Sequence, residues 1–352
     1  MDTSLPCGTT SRSYKEDSAI IRTRNRHILF ALFALLIIVG PFFLSSHMIS
    51  LFTIIYIWII AAHGLNILVG YCGQISLGHS AFMGIGAYTS ATLGTNLGLP
   101  FWVSIPCAVL VAGFIGILFG LPSVRIKGFY LAMATLAAQF IMAFLFLHWE
   151  SVTGGYAGMP APEPELGGFM FDSELSYYYL VLFFAVLATF FAKNLARTKT
   201  GRAFVAIRDN DLAAEVMGMN LYAYKLLAFF IASCFAGLGG ALWAHYAGHI
   251  TPEEFTLNGS IWLLGMVIVG GLGRTMGAVF GVFAIKLLEE GTSYLSIELS
   301  QIWPTLGANF VSAIGVMGFA AALMLFLIFE PRGIEHSWGL LKKYYRNWPF
   351  SY

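Results

Sequence analysis

KNLARTKTGRAFVAIRDNDLAAEVMGMNLYAYK, residues 193–225, is the one long polar stretch lying between strongly apolar runs. It carries Lys193, Arg197, Lys199, Arg202, Arg208 and Lys225. A basic run of that kind between membrane segments belongs on the cytoplasmic side, where Lys and Arg accumulate. Within it, Asp209, Asn210 and Asp211 offer side-chain oxygens that cap a short helix over 212–217, and Gly218 suits the turn that ends it. So short and polar a helix cannot cross a bilayer, which takes ~20 apolar residues. The stretch therefore reads as a cytoplasmic loop, either a plain connector or a docking element for a soluble partner.

The runs on either side set the fold class. Of 352 residues, 58% are hydrophobic and 11% are charged, and the mean hydropathy is +0.76. A soluble domain carries roughly 25% charged residues. The chain is thus expected to be an all-α polytopic membrane protein. Candidate segments fall near 28–44, 49–69, 80–97, 101–121, 128–148, 177–193, 226–247, 259–272, 275–290 and 303–329, ten in all. Segments 259–272 and 275–290 are short, so they suit half-helices or one broken span. The domain reading is a cytoplasmic tail 1–26, a membrane domain 27–330 that includes the loop 194–225, and a second cytoplasmic tail 331–352. A net charge of +1 excludes a strongly basic nucleic-acid binder. No small-residue cleavage site marks the first tail as a signal peptide.

Charge placement fixes the parity of the segments. With an even number and both termini inside, every Lys and Arg falls on the cytoplasmic side except Lys286, which sits near an outer helix end and can snorkel. The acids Glu150, Glu163, Glu165, Asp172, Glu174, Glu253, Glu254 and Glu298 fall outside. The chain is accordingly expected to be a multi-pass membrane protein with both ends cytoplasmic and lipid around it. The Gly- and Pro-rich stretch 151–176 lacks an apolar period and reads as a structured external loop or a connector.

Two further stretches are unusual for membrane segments. GYCGQISLGHSAFMGIGAY (70–88) repeats glycine and carries Gln74, Ser76, His79 and Ser80. GMVIVGGLGRTMGAVFG (265–281) spaces Gly273, Gly277 and Gly281 four apart, the small-residue face of close helix packing. Irregular backbone at membrane depth is tolerated only inside protein or along a cavity. Paired Gly-interrupted segments in two halves point to a transport path and hint at an internal duplication. Candidate path-lining residues are Gln74, Ser76, His79, Ser80, Thr135 and Gln139; the competing reading is tight helix packing.

Catalytic and metal motifs are missing from the sequence. There is no G-x-x-x-x-G-K-[ST] phosphate cradle and no H-E-x-x-H. His245 and His249 stand four apart without a third ligand, near an outer helix end, and read as interfacial. His63 and His79 lack an acid or nucleophile partner. Cys7, Cys72, Cys107 and Cys234 have neither metal nor disulfide spacing. Between Ser18 and Trp149 no Asp or Glu occurs at all. Ion-coupled carriers place carboxylates inside the membrane, so the driving energy is expected to come from elsewhere.

GLNILVG (64–70), GQISLGHSAF (73–82), GIGAY (84–88), KGFYLAMATL (127–136), GRAFVAIRDN (201–210), AAEVMG (213–218), GGLG (270–273) and PRG (331–333) form an ordered series. In that order the chain resembles the LivM-type permease subunits of branched-chain amino acid ABC importers. The resemblance implies a non-catalytic permease. It would pair with a homologous LivH-type permease, two cytoplasmic ABC ATPases that hold ATP and Mg, and a periplasmic solute-binding protein, with no cofactor on this chain. It also implies ATPase coupling through Arg208, Ala213, Ala214, Glu215 and Gly218. The general importer pattern is Glu-Ala-Ala followed by Gly, whereas here the order is Ala213-Ala214-Glu215 with Gly218. Alternatives are a same-family permease for urea, short amides or another small organic solute, an ion-coupled carrier, or an intramembrane enzyme using His63 or His79.

Overall fold

A computed structural model describes residues 24–124, 126, 128–166, 168–302, 317–318, 320–321, 323–326, 328–330 and 332–347. Most of the expected segment 303–329 and nearly all of the tail 1–26 lie outside the described residues, as do Arg125 and Lys127. The chain divides into two units at Leu51. In the first, α1 (Arg24–Val39) runs into a 3₁₀ turn at Gly40–Phe43, where Pro41 occupies the first turn and so removes an N–H that would go unpaired. The start of α2 (Ser46–Leu65) completes it.

The second unit is a helical bundle. After α2 come α3 (His79–Leu97), α4 (Phe101–Gly120), α5 (Phe129–His148) and a short α6 (Glu150–Thr153). Then follow α7 (Glu174–Arg197), α8 (Lys199–Asp209), α9 (Asp211–Val216), α10 (Leu221–Ala247), α11 (Leu257–Gly270), α12 (Thr275–Ile302) and α13 (Ile334–Asn347). The described strands are two residues long: β1 (Met159–Pro160), β2 (Glu165–Leu166), β3 (Phe169–Met170) and β4 (His249–Ile250). β1 pairs antiparallel with β4, and β2 with β3. The stretch 151–176 is therefore structured and is tied to the α10–α11 connection.

Among the described residues, five helices are long and apolar enough to cross a membrane: Ser46–Tyr71, Phe101–Gly120, Phe129–His148, Glu174–Arg197 and Leu221–Ala247. The outer faces of α4, α5 and α7 expose Leu110, Phe114, Leu118, Phe140, Phe144, Phe183, Phe190 and Phe191. In water so much contiguous apolar surface would aggregate; lipid tails match it. The chain is thus an all-α polytopic membrane protein. Pro252–Gly270 and Thr275–Tyr294 also pass as a pair, bent by 117° at the break, which agrees with the broken span expected there.

The core lies where α10 crosses α3 and α4. Glycine makes this crossing close. A Cβ on Gly86 of α3 would run into the backbone of Gly237 on α10, and one on Gly240 would meet the carbonyl of Met83. Gly84 and Gly86 thus sit inside a continuous helix, where Gly86 brings two backbones together and Gly84 makes room for the Phe146 ring.

Candidate coupling and translocation site

Five of the six path candidates meet at the start of α3, and Gln74 lies apart from them. α2 ends in a π turn, Asn66–Tyr71, and the chain then runs irregularly to Gly78 before α3 begins at His79. A helix start leaves N–H groups without intrahelical acceptors, and burial makes that expensive. Here other elements supply the acceptors. Thr135 Oγ1 of α5 accepts from Leu77 N at 3.0 Å, and Ser260 Oγ of α11 accepts from Ser80 N at 2.9 Å. Gln139 Oε1 accepts from Ala81 N at 2.9 Å and from Ser260 Oγ at 3.1 Å, while its Nε2 donates to the Phe255 carbonyl at 2.7 Å. Ser76, His79, Ser80, Thr135 and Gln139 are all buried, as is Gln74. Ser260, which sequence reasoning missed, is therefore part of the cap; nothing in its local pattern distinguishes it. Gly78 leaves room for the approach, since a Cβ there would lie 2.6 Å from the Thr135 carbonyl oxygen.

The second Gly-rich segment docks against the first. Asn66 Oδ1 accepts from Gly273 N and its Nδ2 donates to the Arg274 carbonyl, both at 2.9 Å. Tyr71 and Thr275 hydroxyls are 3.1 Å apart. Gly271 and Gly273 take φ of +117° and +73° in the turn between α11 and α12. Gly273 thus lies ahead of α12, and the helix-borne small residues begin at Gly277. A Cβ on Gly277 or Gly281 would strike the backbone of α11 and its C-terminal turn, at Gly271 O and Met266 O respectively.

The polar stretch forms two helices joined by a tight corner. Thr198 caps α8, accepting from Gly201 N at 3.3 Å, and Asn210 caps α9, accepting from Ala213 N at 3.0 Å. Gly218, with φ of +85°, closes α9, close to the boundaries expected from the sequence. The amphipathic α8 was not anticipated; its apolar side, Ala203, Phe204 and Ile207, is buried. On α9, Ala214 turns inward against Ala228, Phe229 and their neighbours, whereas Leu212, Ala213, Glu215, Val216 and Met217 face outward. Arg208 stands at the corner. Its Nη1 donates to the Gly70 carbonyl at 2.8 Å, and its Nε and Nη2 hold Asp209 Oδ1 at 3.0 and 2.8 Å. One guanidinium therefore joins the base of α9 to the break that follows α2.

The remaining candidates take structural places. His245 is buried, not interfacial: it lies 2.8 Å from Ser90 Oγ and 2.7 Å from the Pro162 carbonyl. Its place in the last turn of α10 hides this, because the 151–176 loop folds back over it. His249 is exposed and bonds the Ala157 carbonyl. His63 pairs with Thr189, and His79 with the Ala61 carbonyl. Among the described residues no cluster of His, Cys, Asp and Glu could hold a metal. Lys286 pairs with Glu289 at 2.7 Å and lies over Trp58 at 4.7 Å. Near the turn of α11 and α12, burial raises the Glu335 carboxyl above its ordinary value, opposed by Arg274, a Gly277 N–H and Lys193.

A family model described as branched-chain amino acid transport system / permease component matches residues 47–325. The chain belongs to this family. Relatives include the high-affinity branched-chain amino acid transport system permease protein LivM of Salmonella typhimurium, 34% identical over 77% of this chain and 71% of that protein. The LivM protein of Escherichia coli is 33% identical over 76% of this chain and 69% of its own length. The autoinducer 2 import system permease protein LsrC of E. coli O157:H7 is 27% identical over 76% and 79%. No solved structure matches. The breaks at 72–78 and 271–274 both lie inside the matched region, so in this permease family member they belong to the permease body itself.

Proposed function

We propose that the chain is the membrane permease subunit of an ATP-driven ABC importer that moves branched-chain, hydrophobic amino acids across the bacterial inner membrane by alternating access. The chain carries no cofactor of its own. ATP and Mg sit on two cytoplasmic ATPase subunits; a LivH-type permease completes the pore, and a periplasmic binding protein delivers the solute. Residues 193–225 and both termini face the cytoplasm, following the basic bias of the chain. The LivM relatives support the substrate class.

One observation carries the reading: Arg208 ties the base of a short, outward-facing helix to the break between α2 and α3. A push on Leu212, Glu215, Val216 and Met217 turns α9 about its Asn210 cap, with Ala214 as the buried pivot. Arg208 passes that motion to the Gly70 carbonyl, and Asn66 passes it on to the turn at Gly273. Two broken spans then move together, as rocking halves require; their shared helix–break–helix order fits an internal duplication.

The test is uptake and ATP hydrolysis measured together in the reconstituted importer. Glu215→Arg and Val216→Arg reverse the charge or the polarity of the exposed face without touching the buried Ala214. Each is expected to lower amino acid imported per ATP by about tenfold, the equivalent of ~1.4 kcal/mol of lost coupling. Unchanged import per ATP in both variants refutes the assigned contact.

A further inference from the structure

The corner that carries Arg208 also borders a cavity of about 330 Å³. Its walls come from the irregular stretch after α2, the approach to α5, the end of α8 and the first turns of α9 and α10. Gln74 lines it, is 4% exposed, and among the described residues has no hydrogen-bond partner for either side-chain Nε2 or Oε1. A buried amide left without partners is destabilising, so its retention asks for an occupant. Lys225 lines the same space and is 5% exposed; its ion pair with Asp211 spans 3.9 Å, beyond hydrogen-bond reach. Ile126, Leu131 and Ile207 give the cavity an apolar wall.

These groups together describe a ligand. Lys225 beside Asp211 and Arg208 beside Asp209 set positive against negative charge along the wall, and this balance disfavours a lone anion or a lone cation. It suits a small zwitterion whose carboxylate meets Lys225 and whose ammonium meets Asp211. The Gln74 amide offers both a donor and an acceptor between them. The apolar wall fits an aliphatic side chain, and the volume sits at the small end of the ~300–1,000 Å³ range of ligand pockets.

We infer that this cavity is a second amino acid site, on the coupling-helix side of the permease, through which accumulated amino acid slows import. The inference rests on the importer reading above. Occupancy pins the 72–74 stretch to the corner of α8 and α9, the joint that has to move for coupling. Contact there is already close, since a Cβ on Gly73 would lie 2.8 Å from Arg208 Cγ. A ligand that holds the joint in one arrangement lowers the turnover rate without competing at the external entrance.

The experiment uses the assembled importer in proteoliposomes, with L-leucine added on the ATPase side. Import of labelled L-leucine is measured, and in parallel saturable binding of L-leucine to the importer without its solute-binding protein. Leucine on the ATPase side is expected to slow import by at least about fivefold, the lower end of ordinary coupling between sites. Gln74→Leu and Lys225→Met are each expected to weaken binding about tenfold, or ~1.4 kcal/mol. Gln74→Leu also removes an unpaired amide and folds at least as stably as the parent, so its weaker binding is not a folding defect. Absence of saturable binding, or binding unchanged in both variants, overturns the site. Inorganic phosphate displacing leucine at equal concentration overturns the zwitterion assignment. Binding without any slowing of import overturns the regulatory role. Failure of all preparations to import leucine overturns the importer reading instead, while the binding measurement still decides the site.

Discussion

Replacing Gln139 with Leu and replacing Gln74 with Leu exchange the same buried amide for the same apolar side chain, yet opposite results are expected. Gln139 accepts from Ala81 N and Ser260 Oγ and donates to the Phe255 carbonyl. Its loss leaves the Ala81 N–H and the Phe255 carbonyl buried without partners, at ~1–3 kcal/mol each. Hydrogen bonds among membrane helices average less, ~0.6 kcal/mol, because unfolded helices in lipid also find partners. Between these limits Gln139→Leu is expected to destabilise by about 2–4 kcal/mol. At ~2–4 °C per kcal/mol, the melting temperature falls by about 4–16 °C. The Gln74 side chain makes no hydrogen bond among the described residues, so Gln74→Leu relieves a burial cost and raises the melting temperature by about 2–4 °C for each ~1 kcal/mol relieved. Thermal unfolding of the purified protein in detergent, followed by tryptophan fluorescence, reads both. Shifts of the same sign, or a Gln139→Leu shift within about 1 °C of zero, refute the capping account of the α3 start.

Gly86→Ala places a methyl group against the Gly237 backbone and is expected to cost ~1–3 kcal/mol by overpacking. Gly291→Ala, where nothing among the described residues lies within 4 Å, is the matched control and leaves the melting temperature unchanged or raised. Arg208→Lys keeps a charge but loses the forked geometry that reaches Gly70 and Asp209 together, so import per ATP falls while folding is retained; equal stoichiometry in parent and variant discards the Arg208 linkage. Glu335 has a raised folded-state value, so stability is lost as pH rises from about 4.5 towards that value, the unfolded chain giving up its proton first. Glu335→Gln removes this loss, and melting curves at acidic and neutral pH should then differ less than in the parent.

Much of the fold was legible along the chain because membrane segments are written in one dimension. A bilayer demands long apolar runs, and five of them appear as helices where the hydropathy places them. The capped helix at 211–216 was equally legible, since Asn210 and Gly218 act on their own neighbours. The bent pair at 271–274 showed itself through short apolar lengths and glycine alone.

Contacts between distant segments could not be read this way. Ser260 and Gln139 cap α3 from far along the chain, and a polar residue in an apolar run gives no sign of which N–H it will meet. His245 looked interfacial because the loop that buries it is separated from it by α7 to α9. Ala213 and Ala214 are alike in sequence, but the direction of one helical face turns the first outward and the second into the core. Local rules thus determine which stretches become helices and where they stop. Packing decides what each polar side chain does, because burial makes an unmet hydrogen bond costly and only the assembled bundle supplies its partner.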